Sequence, residues 1–298
     1  MGTFFKQIYR YTRPRSYRHN ENLWPYVKIT RAAEGHIQSF KLRGHNIPLV
    51  DLSELKGKFS GDLLLVASGP SVNDTDFSPL VTMPAMGVNG AWFLHKVLDF
   101  SLYVIVDMTF IDQRLSLVKE IVSRPEVLLF TTINGIMKIV HHFGIDALRC
   151  RLAVVEDACF RVYQPKIQSS EIYQTCHDKS HISFSPKNNN IAFSNDIREG
   201  IFDAATVVYW SLQIVKFMGF SRVIIAGLDM NNFHRPRFYE NDKDRSPSFL
   251  ESQFSVLIEP AFSLASSIFK EDKIQVLNLS QNSALSDEIF KKVTSHDI

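Results

Sequence analysis

Six short apolar runs, each closed by a glycine, an acid, an amide or a small polar residue, constrain this chain most. They span residues 63–67, 85–88, 102–106, 127–130, 222–226 and 274–279. A strand wetted on one face alternates apolar and polar residues, whereas a strand covered on both faces reads as a continuous apolar run. Amphipathic stretches of helical period lie between the runs, at about 109–123, 134–143, 200–219 and 249–270. Strands alternating with helices predict one Rossmann-like α/β domain on a parallel sheet of at least five strands. Residues 157–200 break the alternation and read as a polar excursion or lid. Arg235, Pro236, Asn241, Asp242 and Pro247 deny regular structure to a second lid at about 231–250. The one expected boundary falls near residue 57, between an N-terminal extension, 1–57, and the α/β domain, 58–298.

Composition narrows the function. With 33 basic and 31 acidic side chains in 298 residues, the surface as a whole is too balanced to grip nucleic acid, and no nucleic-acid partner is expected. Cys150, Cys159 and Cys176 contain no CxxC and encode neither a disulfide framework nor a zinc site, which fits a reducing cytoplasm. No run approaches the length of a spanning helix, and the start lacks the features of a signal peptide. The first 31 residues are the exception to the balance, carrying seven basic side chains against Glu21 alone. Phe4, Ile8 and Tyr11 recur there at helical spacing, opposite Lys6 and Arg10, until Pro14 ends the pattern. Such a segment either lies on an anionic membrane surface or packs on its own domain.

In an open parallel sheet ligands bind beyond the carboxyl ends of the strands, so the residues after each run carry the chemistry. The first run leads into Ser68-Gly69-Pro70-Ser71, a tight turn in which a glycine lets backbone approach a ligand and Ser71 with the following amides can hold a phosphate. It matches neither GxGxxG nor GxxxxGK[ST], so dinucleotide and ATP fingerprints fail. The second run ends at Asn89, the third at Asp107 and the fifth at Gly227-Leu228-Asp229. Asn89 and Asp107 suit ribose hydroxyls or a base edge, and each is also an ordinary cap or turn residue.

The order SGPS, VNG, a strand ending in Asp, NDIREG before a long helix, GLDM, RFYEN and NLSQNSAL over roughly residues 62–295 resembles the bacterial transferases that add an extra 3-deoxy-manno-octulosonic acid (Kdo) to the lipopolysaccharide core. More distantly it is similar to bacterial CMP-sialic acid-dependent sialyltransferases. The resemblance implies a GT-A-like variant of the Rossmann sheet and an inverting, metal-independent enzyme with no cofactor. It would take a CMP-sugar donor and a lipid A-linked core oligosaccharide acceptor, at the cytoplasmic face of the inner membrane of a Gram-negative bacterium. It places Ser68, Gly69, Pro70 and Ser71 around the donor phosphate and ribose, and Asn89 on the nucleotide or sugar. Asn282 and Ser283 fall near the phosphate or cytidine, Arg198 on the donor carboxylate or phosphate, and Tyr239 on the leaving phosphate. The nucleotide would lie across Gly69, Ser71, Asn89 and Ser283, with Gly69 where backbone meets phosphate.

The base that takes the acceptor proton stays open among Glu251, His234, Asp229 and Asp107. Asp74-Thr75-Asp76 and Asp242-Lys243-Asp244 read as polar loops rather than metal motifs. Adjacent His141 and His142 face different directions and cannot chelate together. Trp92, Phe93 and Trp210 read as core, and Cys159 and Cys176 as inert. The sequence leaves a homo-oligomer open.

Overall fold

A computed structural model describes residues 3–241, 243–245 and 249–298. The chain opens with a helix, Thr3–Thr12, which stops short of Pro14. Three antiparallel strands follow, β1 (Val27–Arg31), β2 (Ile37–Leu42) and β3 (His45–Ile47). Arg43 and Gly44, both at positive φ, form the two-residue turn between β2 and β3, a backbone twist that suits a tight hairpin.

The main sheet begins with β4 (Asp62–Val66), β5 (Ala85–Val88), β6 (Phe100–Ile105), β7 (Leu128–Thr131) and β8 (Arg151–Val154). A separate hairpin, β9 (Ile182–Phe184) with β10 (Ala192–Ser194), interrupts it. The chain then returns through β11 (Arg222–Ala226), β12 (Gln275–Asn278) and β13 (Lys291–Lys292). The order is β13-β12-β11-β4-β5-β6-β7-β8, and all seven pairings are parallel. The expected parallel α/β fold is therefore observed, with β8 and β13 beyond the six strands read from the sequence.

Continuous apolar strands are what two covered faces require. Leu63, Leu65 and Ala67 point into one layer, under the helices Val207–Met218 and Glu259–Glu271. Leu64 and Val66 point into the other, under Leu115–Val122, Ile133–Phe143 and the β1–β3 meander. Each buried leucine contributes about 1.5–3 kcal/mol relative to exposure. The helix expected from residue 200 starts later. Gly200 is at positive φ, and Thr206 caps the helix by accepting from Val208 N.

The 157–200 excursion is ordered and does not line the crevice described below. It packs on its own cluster of Ile172, Cys176, Ala192 and Phe202. The buried amide of Gln213 pins it, accepting from Ser194 N (2.9 Å) and Phe202 N (3.0 Å) and donating to Phe202 O (2.8 Å). Arg31 reaches from β1 to grip Glu156 at 2.5 and 2.8 Å, joining the meander to the end of β8.

The N-terminal helix divides its aromatic residues between protein and solvent. Tyr9 is buried against Trp24, and Phe5 packs on Trp24 and Tyr26. Phe4 and Tyr11, seven residues apart and so on one side of the helix, are 67% and 89% exposed. Arg10 pairs with Glu21 at 2.6 Å.

Candidate active site

The strand order reverses between β4 and β11, and a crevice opens at their carboxyl ends, the position this topology reserves for a ligand. One half has a volume of about 360 Å³. Its floor is the strand-end set Ser68, Gly69, Pro70, Asn89, Asp107 and Asp229, and its wall is the start of the helix Val207–Met218. Across the opening stand Arg235, Arg237, Arg245 and Phe249. A second half of about 350 Å³ continues past Pro70, Asp229 and Arg235 to Ser71, Asp76, Asn282 and His296.

The two central turns are stapled together. Asp229 is 8% exposed, and its carboxylate accepts from Ser71 N at 2.9 Å through one oxygen and from the Ser71 hydroxyl through the other. Ser71 Oγ also lies 2.8 Å from Ser280 Oγ. Gly69 N donates to Gly227 O at 3.0 Å. The glycine at 69 is required by the protein itself. A Cβ there would stand 2.5 Å from Asp229 Oδ2 and 2.6 Å from Gly227 O. That packing gives Gly69 a structural role beside the backbone approach to phosphate that the resemblance implies.

Asn89 adopts a positive φ, which asparagine tolerates. Its carbonyl accepts from the buried Tyr103 hydroxyl at 2.7 Å, and its side-chain Oδ1 is buried without a partner among the described residues. An unsatisfied buried acceptor lining a crevice invites a ligand donor. Asp107 lies on the same floor and accepts from Thr109 N at 2.8 Å, capping the helix Met108–Gln113.

Several expected site residues lie elsewhere. Arg198 does not line the crevice. Asp196, two residues away, binds its guanidinium at 2.7 and 2.9 Å, and Ser53 takes another donor at 3.2 Å. Tyr239 is not a lining residue either. Its ring lies over Gly90, where a Cβ would come within 2.0 Å of it, and stacks on Phe93 at 5.5 Å. Burial pushes its hydroxyl up to about 12. Ser283 is buried, donating to Leu228 O at 2.7 Å, so the N-S pair contributes Asn282 alone to the crevice. His234 and Glu251 form a solvent-exposed pair at 3.4 Å, outside both halves.

Phe93 is 53% exposed against the core position expected of it, whereas Trp92 and Trp210 are buried. Burial also raises Cys150 and Cys159 to about 12, leaving little thiolate at neutral pH. Among the described residues no group of three His, Cys, Asp or Glu side chains could hold a metal ion. Asp242 and Pro247 lie outside the described residues.

Three lid arginines are what reading the strand ends missed. Arg237 is held by Glu240 at 2.8 Å, and Arg245 donates to His234 O. Arg235 lines both halves, and among the described residues its guanidinium has no hydrogen-bond or ion-pair partner. Together with the amino end of the helix Val207–Met218, they give the crevice a cationic rim.

The family described as 3-deoxy-D-manno-octulosonic acid transferase WaaZ matches residues 156–296, a little under half of the chain. A probable 3-deoxy-manno-octulosonic acid transferase of Escherichia coli strain K12 is 24% identical over 269 residues, covering 85% of this chain and 91% of that protein. Its counterpart in Salmonella typhimurium strain LT2 is 22% identical over 251 residues, covering 80% and 88%. The resemblance carried by the order of motifs thus stands. Among solved structures, the sialyltransferase CST-II in complex with a trisaccharide acceptor and CMP is similar at 13% identity and a TM-score of 0.40, over 77% of this chain and 85% of that one. At that score the likeness carries no assignment.

Proposed function

We propose that this chain is a glycosyltransferase that takes Kdo from CMP-Kdo and passes it, with inversion and without a metal, to the Kdo-containing inner core of lipopolysaccharide. The reading is carried by Arg235, an arginine without a hydrogen-bond or ion-pair partner among the described residues, where the two halves of the crevice meet. A CMP-activated ulosonic acid presents two anions close together, the phosphodiester and the carboxylate on the anomeric carbon. As the bond to CMP breaks, phosphate gains charge while the sugar becomes oxocarbenium-like, so a fixed cation at the phosphate is worth more in the transition state than in the ground state. Arg235, Arg245 and the capped end of the helix Val207–Met218 supply that field without an added ion. Ser68 and Asn89 remain for ribose or base, the orphaned Asn89 Oδ1 accepting from a hydroxyl or amino group. The similarity to transferases of the same sugar supports this choice of donor.

The acceptor is anchored in a membrane, and the exposed Phe4 and Tyr11 with their basic neighbours suit reversible docking at an anionic cytoplasmic leaflet. The test is release of the free nucleotide, CMP or UDP, by purified protein supplied separately with CMP-Kdo, CMP-sialic acid and a UDP-sugar. Release from CMP-Kdo fastest, and none from the UDP-sugar, is expected. Faster release from CMP-sialic acid would make the chain a sialyltransferase, and binding of CMP with no release from any donor would make it a nucleotide-binding protein.

A further inference from the structure

The second half of the crevice has no role in holding the donor as proposed, yet it carries a feature that the strand-end motifs do not announce. We infer that it receives the acceptor hydroxyl and that His296, oriented by Asp76, is the base that takes its proton. This rests on the proposed transfer reaction. Of the ten histidines in the chain, His296 is the one found among the described residues lining either half.

Its position is built. Val293 N donates to Asn278 O at 3.1 Å, beside the short strand β13. The turn Ser295–Asp297 is closed by Thr294, whose backbone N and hydroxyl donate to Asp297 Oδ2 at 2.9 and 2.6 Å. His296 Nε2 then lies 3.3 Å from Asp76 Oδ2. Asp76 is itself fixed, accepting from Ser78 N at 2.9 Å, and that bond holds its carboxyl below the usual range. A carboxylate on Nε2 favours the tautomer with its proton there, which leaves Nδ1 to accept. The imidazole is 70% exposed as a side chain, open to a bulky saccharide.

The acids around the crevice are otherwise engaged or weaker bases. Both oxygens of Asp229 hold Ser71, Glu240 pairs with Arg237, and Asp107 caps a helix. Asp74 is a carboxylate in the same half, but a carboxylate is a poorer proton acceptor near neutral pH than an imidazole. In the step, the acceptor oxygen forms its bond to the anomeric carbon as its proton passes to His296 Nδ1. The bond from that carbon to the phosphate oxygen breaks, and its electron pair leaves with CMP. The imidazolium afterwards returns its proton to water.

The experiment measures transfer from CMP-Kdo to a soluble Kdo-containing core oligosaccharide across pH 5–9, together with CMP affinity. His296→Gln should lower kcat by about 10²–10⁴ while the Kd for CMP stays within about threefold. Asp76→Asn keeps the imidazole but removes the carboxylate that fixes its tautomer, so an amide in its place can present an N–H to Nε2 and leave Nδ1 protonated. Its kcat should therefore fall by about tenfold or more while the Kd for CMP stays within about threefold. Transfer by His296→Gln within about threefold of the wild type, or an unchanged kcat in Asp76→Asn, would overturn the inference and leave the proposed function standing. A wild type that transfers from no CMP-sugar would overturn both.

Discussion

Replacing Gly69 by alanine isolates the staple between the two turns at the centre of the crevice. The backbone at Gly69 is ordinary extended chain, φ −65° and ψ 155°, so alanine meets no conformational strain and gains about 0.4–1 kcal/mol by restricting the unfolded chain. Against that, the new methyl would stand 2.6 Å from Gly227 O and 2.5 Å from Asp229 Oδ2, nearly 1 Å inside ordinary contact of about 3.5 Å. Gly227 O cannot withdraw without stretching its 3.0 Å bond from Gly69 N. Asp229 cannot withdraw without releasing Ser71. Overpacking costs about 1–3 kcal/mol, and weakening a buried bond to a charged group costs about 1.5–3 kcal/mol. Because the two share one movement they do not add in full. The net expectation is a loss of about 2–4 kcal/mol, read in calorimetric melts as a fall in Tm of roughly 3–6 °C for a chain of this length, with weaker CMP binding. Gly69→Ala in an Asp229→Ala background should lose less than the sum of the single changes. A Tm within about 1 °C of wild type, with unchanged CMP affinity, would refute the reasoning.

Arg235→Ala removes a side chain with no partner among the described residues, so stability should hold to within about 0.5 kcal/mol. CMP affinity, by titration calorimetry, should fall by about 10- to 100-fold, as loss of a charge-assisted contact implies. Asp157→Asn tests a buried acid. Burial raises its folded pKa from the ordinary 3.8 to about 7, so the folded state binds the extra proton and wild-type stability declines as pH rises from about 4 to 7. The amide should therefore melt higher than wild type at pH 8, by an equivalent of about 2–4 kcal/mol, with the gap closing by about pH 4. Replacing both Phe4 and Tyr11 by serine should weaken sedimentation with anionic vesicles by about tenfold or more without changing activity on a soluble acceptor. Equal binding would show the helix to be packing only.

The parallel sheet was legible because strands buried on both faces leave unbroken apolar runs, as at 63–67 and 222–226. β13, with two lysines, leaves none, and Arg151–Val154 is too short to separate from its surroundings. The Arg43-Gly44 turn did carry a signal, a two-residue loop between alternating segments. Asn89, Asp107 and Asp229 reach the crevice because strand ends in this topology converge there. Arg198 does not, because Asp196 captures its guanidinium locally. Tyr239 is taken up by the space that Gly90 leaves for its ring. The lid arginines have no periodicity to read, since irregular chain folded back over the strand ends brings them together.

What separates the proposed enzyme from a nucleotide-binding protein is transfer of the sugar. The most direct measurement is mass spectrometry of a purified Kdo-containing inner-core acceptor after incubation with the protein and CMP-Kdo, with CMP quantified in the same reaction. The expected result is acceptor heavier by one Kdo residue and CMP released in equal amount, both greatly reduced by Arg235→Ala. An acceptor of unchanged mass while CMP accumulates at the same rate with and without it would contradict the claim.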